Sequence, residues 1–171
     1  MKKFLIALFV LVFLISISCK EKSDPAKDKE AVLKVLQEEG DAFAANDLNR
    51  LAAIHIQDST ATRLAQDYDT LIIFKGWNEI RTLLEDYIKG NSTDSSWKNP
   101  KNLKGNIIIK VVGNSAWVLC DNTWKYEFNN VPVEWTNTQI AIFEKTDGKW
   151  KFSFNAFIPK PEVKAKAEVS K

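Results

Sequence analysis

The stretch SAWVLCDNTWKY, residues 115–126, decides the fold of this chain, because apolar and polar residues alternate along it as in a half-buried β-strand. Apolar-rich runs of similar character precede it at 107–112 and follow it at 134–143 and 150–158. Short turn signals separate these runs. The sequence therefore predicts a meander of antiparallel strands.

Two-residue turns are predicted at each connection of this meander. Asp147-Gly148 is a strong hairpin signal, since glycine tolerates the positive φ of a type I′ turn. Asn129-Asn130 is a weaker signal of the same kind, and Gly113-Asn114 serves the first turn. If the second and third turns are two residues long, the cross-strand pairs are Trp124 with Trp135, Asn122 with Asn137, Cys120 with Gln139, Val118 with Ala141, Phe143 with Phe152 and Ala141 with Phe154.

The paired residues share one face of the sheet, because side chains alternate along a strand. Its apolar end, expected beneath helices, comprises Ala116, Val118, Ala141, Phe143, Phe152 and Phe154. Its other end comprises Asn122, Trp124, Trp135, Asn137 and Gln139. Tryptophans beside amides suit a small amphipathic ligand, which finds apolar walls and a few hydrogen bonds there. In the alternative interpretation the tryptophans fill core space and the amides face water.

The opposite face of the sheet is too apolar for a surface that is wholly in water. Its apolar residues are Trp117, Leu119, Ile140, Ile142 and Phe157. We therefore expect a homodimer that buries this face, with partial exposure as the alternative.

Composition limits the classes of function. The 171 residues carry a formal net charge of +2, and 45% of them are hydrophobic, which fits one domain with a sizeable core. With 24 basic and 22 acidic residues, the chain lacks the charge pattern of a nucleic-acid-binding protein.

The N-terminus has the features of a secretory signal. Met1-Lys2-Lys3 precedes an apolar run, 4–15, that is short for a membrane span. The small residues before Cys19 resemble the lipobox of bacterial lipoproteins. That resemblance implies a signal peptide at 1–18, a lipidated Cys19 and a charged tether at 19–28, with the protein held at a bacterial membrane on the periplasmic or surface side of the cell envelope. An ordinary cleaved signal with an incidental cysteine is the alternative.

Three helices are predicted from apolar residues at helical spacing. The first carries Val32, Val35, Leu36 and Phe43; the second follows a cap at Asp47; the third begins after Gly76 and carries Trp77, Ile80, Leu83, Leu84, Tyr87 and Ile88. His55 ends the second helix and is expected in solvent. Short strands are predicted at 60–65 and 68–74 with a turn at Gln66-Asp67, and a disordered tail at 159–171.

This order of elements, with three local phrases, resembles the NTF2-like superfamily and its SnoaL-like, DUF4440-type branch. The phrases are FKGWNEI at 74–80, GNSAWV at 113–118 and FEKTDGKWK at 143–151. The resemblance covers 29–158 and implies an α+β fold, an NTF2-like cone in which a curved antiparallel sheet wraps around three N-terminal helices. It also implies a pocket at the wide end and dimers through the outer face of the sheet.

The resemblance leaves the activity open, because the superfamily contains isomerases, dehydratases and proteins without known chemistry. Relatives of the branch often carry a histidine in the last strand, where this chain has Phe154-Asn155-Ala156-Phe157. The predicted inner face offers no carboxylate, and Asp121 points outward.

Asp58, Arg63, Tyr68 and Asp69 could approach the pocket from the first strands, but each is expected to be a turn, cap or surface residue instead. We therefore predict a binding protein without turnover, metal or cofactor. The alternatives are an isomerase- or hydrolase-like enzyme of the SnoaL or ketosteroid-isomerase type, and a dimeric assembly module of the envelope.

Overall fold

A computed structural model describes residues 24–67, 70–94 and 96–160. Its helices are α1 (Pro25–Ala44), α2 (Leu48–Ala53) and α3 (Trp77–Thr93). Its strands are β1 (Thr62–Asp67), β2 (Thr70–Lys75), β3 (Trp97–Val112), β4 (Ser115–Phe128), β5 (Val131–Thr146) and β6 (Lys149–Pro159).

Several predictions concern the ends of the chain. The signal peptide, Cys19 and most of the tail lie outside the described residues. The side chain of Asp24 caps α1, accepting a hydrogen bond from the backbone nitrogen of Ala26 at 3.1 Å. Helix α1 therefore begins at Pro25, inside the stretch 19–28 that was expected to be a tether. Among the described helices, none has the length and apolar character needed to cross a membrane.

The six strands form one curved, open sheet in the order β2-β1-β6-β5-β4-β3. The predicted α+β cone is confirmed, with one correction. β1 and β6 run parallel, so the sheet is mixed and not wholly antiparallel. β1 follows α2 and precedes the long meander in the chain. In the sheet it nevertheless lies beside β6, the last strand.

The meander has the predicted register between β4 and β5. Asn129 and Asn130 take φ values of 52° and 63°, and Asp147 and Gly148 take 52° and 74°, as a type I′ turn requires at both central positions. All four predicted pairs between these strands, from Val118 with Ala141 to Trp124 with Trp135, are present. The two-residue turn fixes every pair behind it.

The register between β5 and β6 differs from the prediction after its first inner pair. Phe143 pairs with Phe152 as expected, but Ile142 pairs with Phe154, so Ser153 is an extra residue in β6. Ala141 consequently pairs with Asn155 and not with Phe154. Beyond this β-bulge, each residue of β6 therefore lies on the face opposite to the one that regular alternation predicted.

Phe157 is therefore corrected as a residue of the outer face. It pairs with Gln139, which is fully buried on the inner face, and its ring lines the cavity described below. Phe154, predicted to be inside, pairs with outward-facing Ile142. The other predicted outer residues keep their face, and Trp117 and Ile142 are each 42% exposed.

Two further boundaries moved. β3 starts at Trp97, well before the predicted run 107–112, and α3 continues to Thr93. Gln66 and Asp67, predicted as a turn, belong to β1, where Asp67 pairs with Thr70.

The core lies between the helices and the inner face of the sheet. Its fully buried side chains include Leu36, Leu51, Leu84, Val118 and Phe143. His55 also lies here, 3% exposed, with its ring stacked on Phe152 at 5.1 Å between centroids. The expectation of a solvated histidine is wrong, because α2 ends against the sheet and not in water.

Candidate functional site

A cavity of about 450 Å³ opens between α1, α3 and the inner face of the sheet. One part of its wall is aromatic and comprises Phe43, Tyr87, Trp124, Trp135 and Phe157, which we call the aromatic wall. The other part is polar and comprises Glu39, Arg63, Lys104, Asn122 and Asn137, which we call the polar base. An apolar cavity with a few convergent polar groups is the usual form of a small-molecule site.

The aromatic wall is held by edge contacts between its own rings. Phe43 on α1 contacts Trp124 at 5.7 Å and Tyr87 at 6.1 Å between centroids, both edge to face. The Arg63 guanidinium lies 4.9 Å from the centroid of the Phe157 ring, a cation–π contact that joins the aromatic wall to the polar base. Trp135 is 48% exposed and marks the side open to solvent.

Glu39 is the centre of the polar base. It lies on the apolar side of α1, three residues after Leu36 and four before Phe43, so the helix directs it at the sheet. Its Oε1 accepts hydrogen bonds from Asn155 and from Arg63, the latter at 3.2 Å. Its Oε2 accepts one from Gln139 at 2.7 Å and lies 3.7 Å from Lys104 Nζ.

These partners keep Glu39 ionised. Burial alone would raise the pKa of Glu39, but the positive charges of Lys104 and Arg63 outweigh burial and hold it below the ordinary value. Glu39 therefore serves as a permanent carboxylate that gathers side chains from four strands. It is not poised to exchange protons near neutral pH.

Lys104 is buried along β3, with 4% of its side chain exposed. Its Nζ donates hydrogen bonds to Asn122 Oδ1 and Gln139 Oε1, both at 2.7 Å. Burial lowers the pKa of Lys104, and the charge of Glu39 opposes that shift.

Buried amides connect this ion cluster to the rest of the sheet. Asn102 donates to Asn122 at 2.7 Å, and Asn122 donates to Asn137 at 2.9 Å. Gln139 also donates to Asn155 at 2.9 Å. Each amide is fixed by a neighbour, so the polar base is organised before any ligand arrives.

Gly40 permits the close approach of α1 to β3. A Cβ at this position would lie 2.6 Å from the Cβ of Asn102, closer than such atoms can come. Asn102 cannot turn away without giving up its hydrogen bond to Asn122. The glycine therefore lets the helix carry Glu39 into contact with the amides.

The structure brings most of the predicted ligand residues together. Asn122, Trp124, Trp135 and Asn137 line the cavity. Gln139 is fully buried and does not line it; it holds Glu39 and Lys104 instead. Whether these residues bind a ligand stays a prediction.

Sequence reasoning missed Glu39 and Lys104. The spacing of Glu39 on the apolar stripe of the first helix was a signal for an inward carboxylate. For Lys104 no equivalent signal existed, because this residue precedes the apolar run 107–112 from which its strand was predicted. Arg63 was expected at a turn, cap or surface position, and that expectation is wrong, because Arg63 is buried and lines the cavity.

The other titratable candidates lie elsewhere. Asp121 points outward, where it pairs with Lys160 at 2.7 Å, and Asp58 accepts a hydrogen bond from the backbone of Thr60 at 2.7 Å. Burial lowers the pKa of His55 to about 4 and raises the pKa of Cys120 to about 11, so the imidazole is neutral and the thiol is protonated near neutral pH. Tyr68 and Asp69 lie outside the described residues, and within the described ranges no cluster suited to a metal ion occurs.

The fold, but not the sequence, is similar to that of known proteins. No model of a protein family matches the chain. No curated protein matches it either. Solved structures do match, at low sequence identity.

A candidate dehydratase of the NTF2-like family from Streptomyces avermitilis is similar over 81% of this chain and 99% of its own, with a TM-score of 0.68 and 13% identity. An NTF2-like protein from Novosphingobium aromaticivorans covers 85% of this chain and 91% of its own, with a TM-score of 0.65 and 14% identity. The CamKII hub homology domain of Chlamydomonas reinhardtii covers 78% and 98%, with a TM-score of 0.64 and 20% identity. The chain therefore has the NTF2-like fold, which hosts different functions.

Proposed function

We propose that this protein binds a small amphipathic ligand in its cavity and does not convert it. The observation that carries the proposal is the combination of an open aromatic wall with a polar base whose hydrogen bonds are already arranged. An apolar ligand body gains by leaving water at the aromatic wall, and a polar group of the ligand finds fixed partners at the base.

The states of Glu39 and His55 support binding without turnover. General acid–base catalysis needs a group that exchanges protons near the working pH. Glu39 is the carboxyl group among the described lining residues, and its ion pairs hold its pKa below the ordinary value. His55 is buried away from the cavity against Phe152 and Trp77.

Ligand binding is tested by native mass spectrometry of the chain purified from its own membranes. We expect a bound small molecule on the wild type and none on Ala65→Phe, because Ala65 lines the cavity and a phenyl ring would fill it. Val112→Phe, at an exposed position, is the matched control and keeps the ligand. Wild-type and Ala65→Phe chains that are equally empty would overturn the proposal.

We further propose that lipidation at Cys19 anchors the protein to a bacterial membrane, on the strength of the apolar run and the small residues before this cysteine. A single acyl chain anchors marginally, whereas several anchor stably. The cavity would then lie close to a source of amphipathic molecules.

A homodimer through the outer face of the sheet is also proposed. Direct cross-strand partners on this face form an apolar row across all six strands: Ile73, Leu64, Ala156, Ile140, Leu119 and Ile108. Ile73 and Ile108 are more than half exposed, and Trp117 and Ile142 widen the row. A contiguous apolar surface of this kind favours a protein contact.

A further inference from the structure

The charges on the cavity wall do not balance. The charged side chains that line it within the described residues are Glu39, Arg63 and Lys104, one anion and two cations. Their side chains are only 5%, 7% and 4% exposed. Water therefore does little to screen the excess positive charge.

Glu39 carries one negative charge and cannot neutralise both Arg63 and Lys104. Both of its oxygens already accept hydrogen bonds from the protein, and Lys104 Nζ stays 3.7 Å away. Arg63 Nε is buried and has no hydrogen-bond partner. A buried arginine donor without an acceptor is costly, and Glu39 does not supply that acceptor. A negative charge in the cavity would compensate the guanidinium through its charge, without a hydrogen bond to this nitrogen.

From this imbalance we propose that the ligand is an amphipathic anion, with a carboxylate or similarly charged head group against Arg63 and Lys104 and an apolar body along the aromatic wall. This inference rests on the proposed function and adds the charge of the ligand to it. The cation–π contact between Arg63 and Phe157 places the positive charge next to the apolar surface, so both parts of such a ligand are met at once. A neutral ligand would leave the excess positive charge of the cavity wall uncompensated.

The test uses three carboxylates and their neutral primary amides, which share the same skeletons: 4-phenylbutanoate, naphthalene-1-acetate and decanoate. Calorimetric titration of the wild-type chain is expected to show each carboxylate binding at least about tenfold more tightly than its amide. Equal affinity within each pair would overturn the inference while the proposed function stands. Absence of binding by all six compounds would overturn both.

Variants of the charged groups give a second measurement. Lys104→Met removes one positive charge from the polar base, and we expect the preference for carboxylates to fall to about twofold or less. Lys110→Met is the control, because Lys110 lies on the same strand but is exposed and pairs with outward-facing Trp117. Glu39→Gln makes the base more positive and is expected to strengthen carboxylate binding. An unchanged preference in both Lys104→Met and Glu39→Gln would contradict the inference.

Discussion

The side chains of Glu39 and Gln139 meet at 2.7 Å, where the amide nitrogen of Gln139 donates a hydrogen bond to the carboxylate. This bond joins α1 to β5 across the middle of the molecule. The same carboxylate receives Arg63 from β1 and Asn155 from β6. A single side chain on the first helix thus links the strands of the polar base.

Removing the Glu39 carboxylate is expected to lower the stability of the fold strongly. Glu39→Leu leaves Arg63 and Lys104 buried without their carboxylate, so we expect the free energy of unfolding to fall by about 3–5 kcal/mol. Urea unfolding measures the change. Glu38→Leu is the control on the next residue, since its ion pair with Arg50 is partly exposed and should contribute less than about 1 kcal/mol. Equal losses in the two variants would contradict the central role of Glu39.

Acid should weaken the fold through His55. Its folded pKa, about 4, lies below the ordinary value of 6.5, so the unfolded chain binds more protons between these values. The contribution of His55 is fully present above pH 6.5 and is lost as the pH falls toward 4. We expect on the order of 2–3 kcal/mol less stability at pH 4.5 than at pH 7.

Urea unfolding across that pH range tests this, with His55→Phe as the comparison. His55 is the single histidine of the chain, so the variant should lose most of the pH dependence in this window. The lowered pKa of Glu39 acts at lower pH, below the value of an unfolded glutamate. A wild-type slope that survives in His55→Phe would refute the assignment.

Gly40→Ala is expected to destabilise the protein although alanine favours helices. The added methyl group would overlap the side chain of Asn102 and force α1 away from β3, at a cost of about 1–3 kcal/mol. Gly90→Ala is the matched control on α3, where nothing lies within 4 Å of the new methyl group. It should stabilise by up to about 1 kcal/mol. Thermal unfolding that ranks the two variants in the opposite order would disprove the close approach.

The membrane anchor is tested by Cys19→Ala. We expect this variant to leave the membrane fraction and to lose its acyl groups, as followed by fractionation and by mass spectrometry of the N-terminal peptide. Cys120→Ala is the control, because Cys120 is buried in the sheet and should not affect anchoring. Continued acylation and membrane retention of Cys19→Ala would defeat the proposal.

The homodimer is tested by Trp117→Glu, which adds a charge to the exposed apolar row. Analytical ultracentrifugation of a chain without its lipid is expected to show a dimer for the wild type and a monomer for the variant. Thr146→Glu, at the exposed end of β5, is the control and should remain dimeric. A wild-type chain that sediments as a monomer would remove the proposal.

The sequence predicted the meander well because its two-residue turns leave little freedom. Once Asn129-Asn130 closes the hairpin, alternation fixes which side chains of β4 and β5 face inward, from Val118 to Trp124. The amides and tryptophans of the site could be named for that reason.

The polar base could not be predicted to the same degree. A β-bulge adds one residue without a clear mark in the sequence, so Phe154 and Phe157 were assigned to the wrong faces. Glu39 lies on a helix that was assigned by its apolar residues, and Lys104 precedes the apolar run from which its strand was predicted. A buried charge is stabilised by partners that are distant in the sequence. The pattern of residues within one helix or strand does not reveal those partners.

The extra residue at Ser153 has a further meaning for how this kind of pocket can diversify. If β6 kept its length but paired without the bulge, Phe154 would oppose Ala141 and Ala156 would oppose Gln139, so these two side chains would face inward and Asn155 and Phe157 would turn outward. A one-residue shift in the register of β6 could therefore exchange an amide and a phenyl ring on the inner face for two apolar side chains, with the strand order intact. A register shift of one strand could thus change the lining of a pocket of this kind in evolution without a substitution at each lining position.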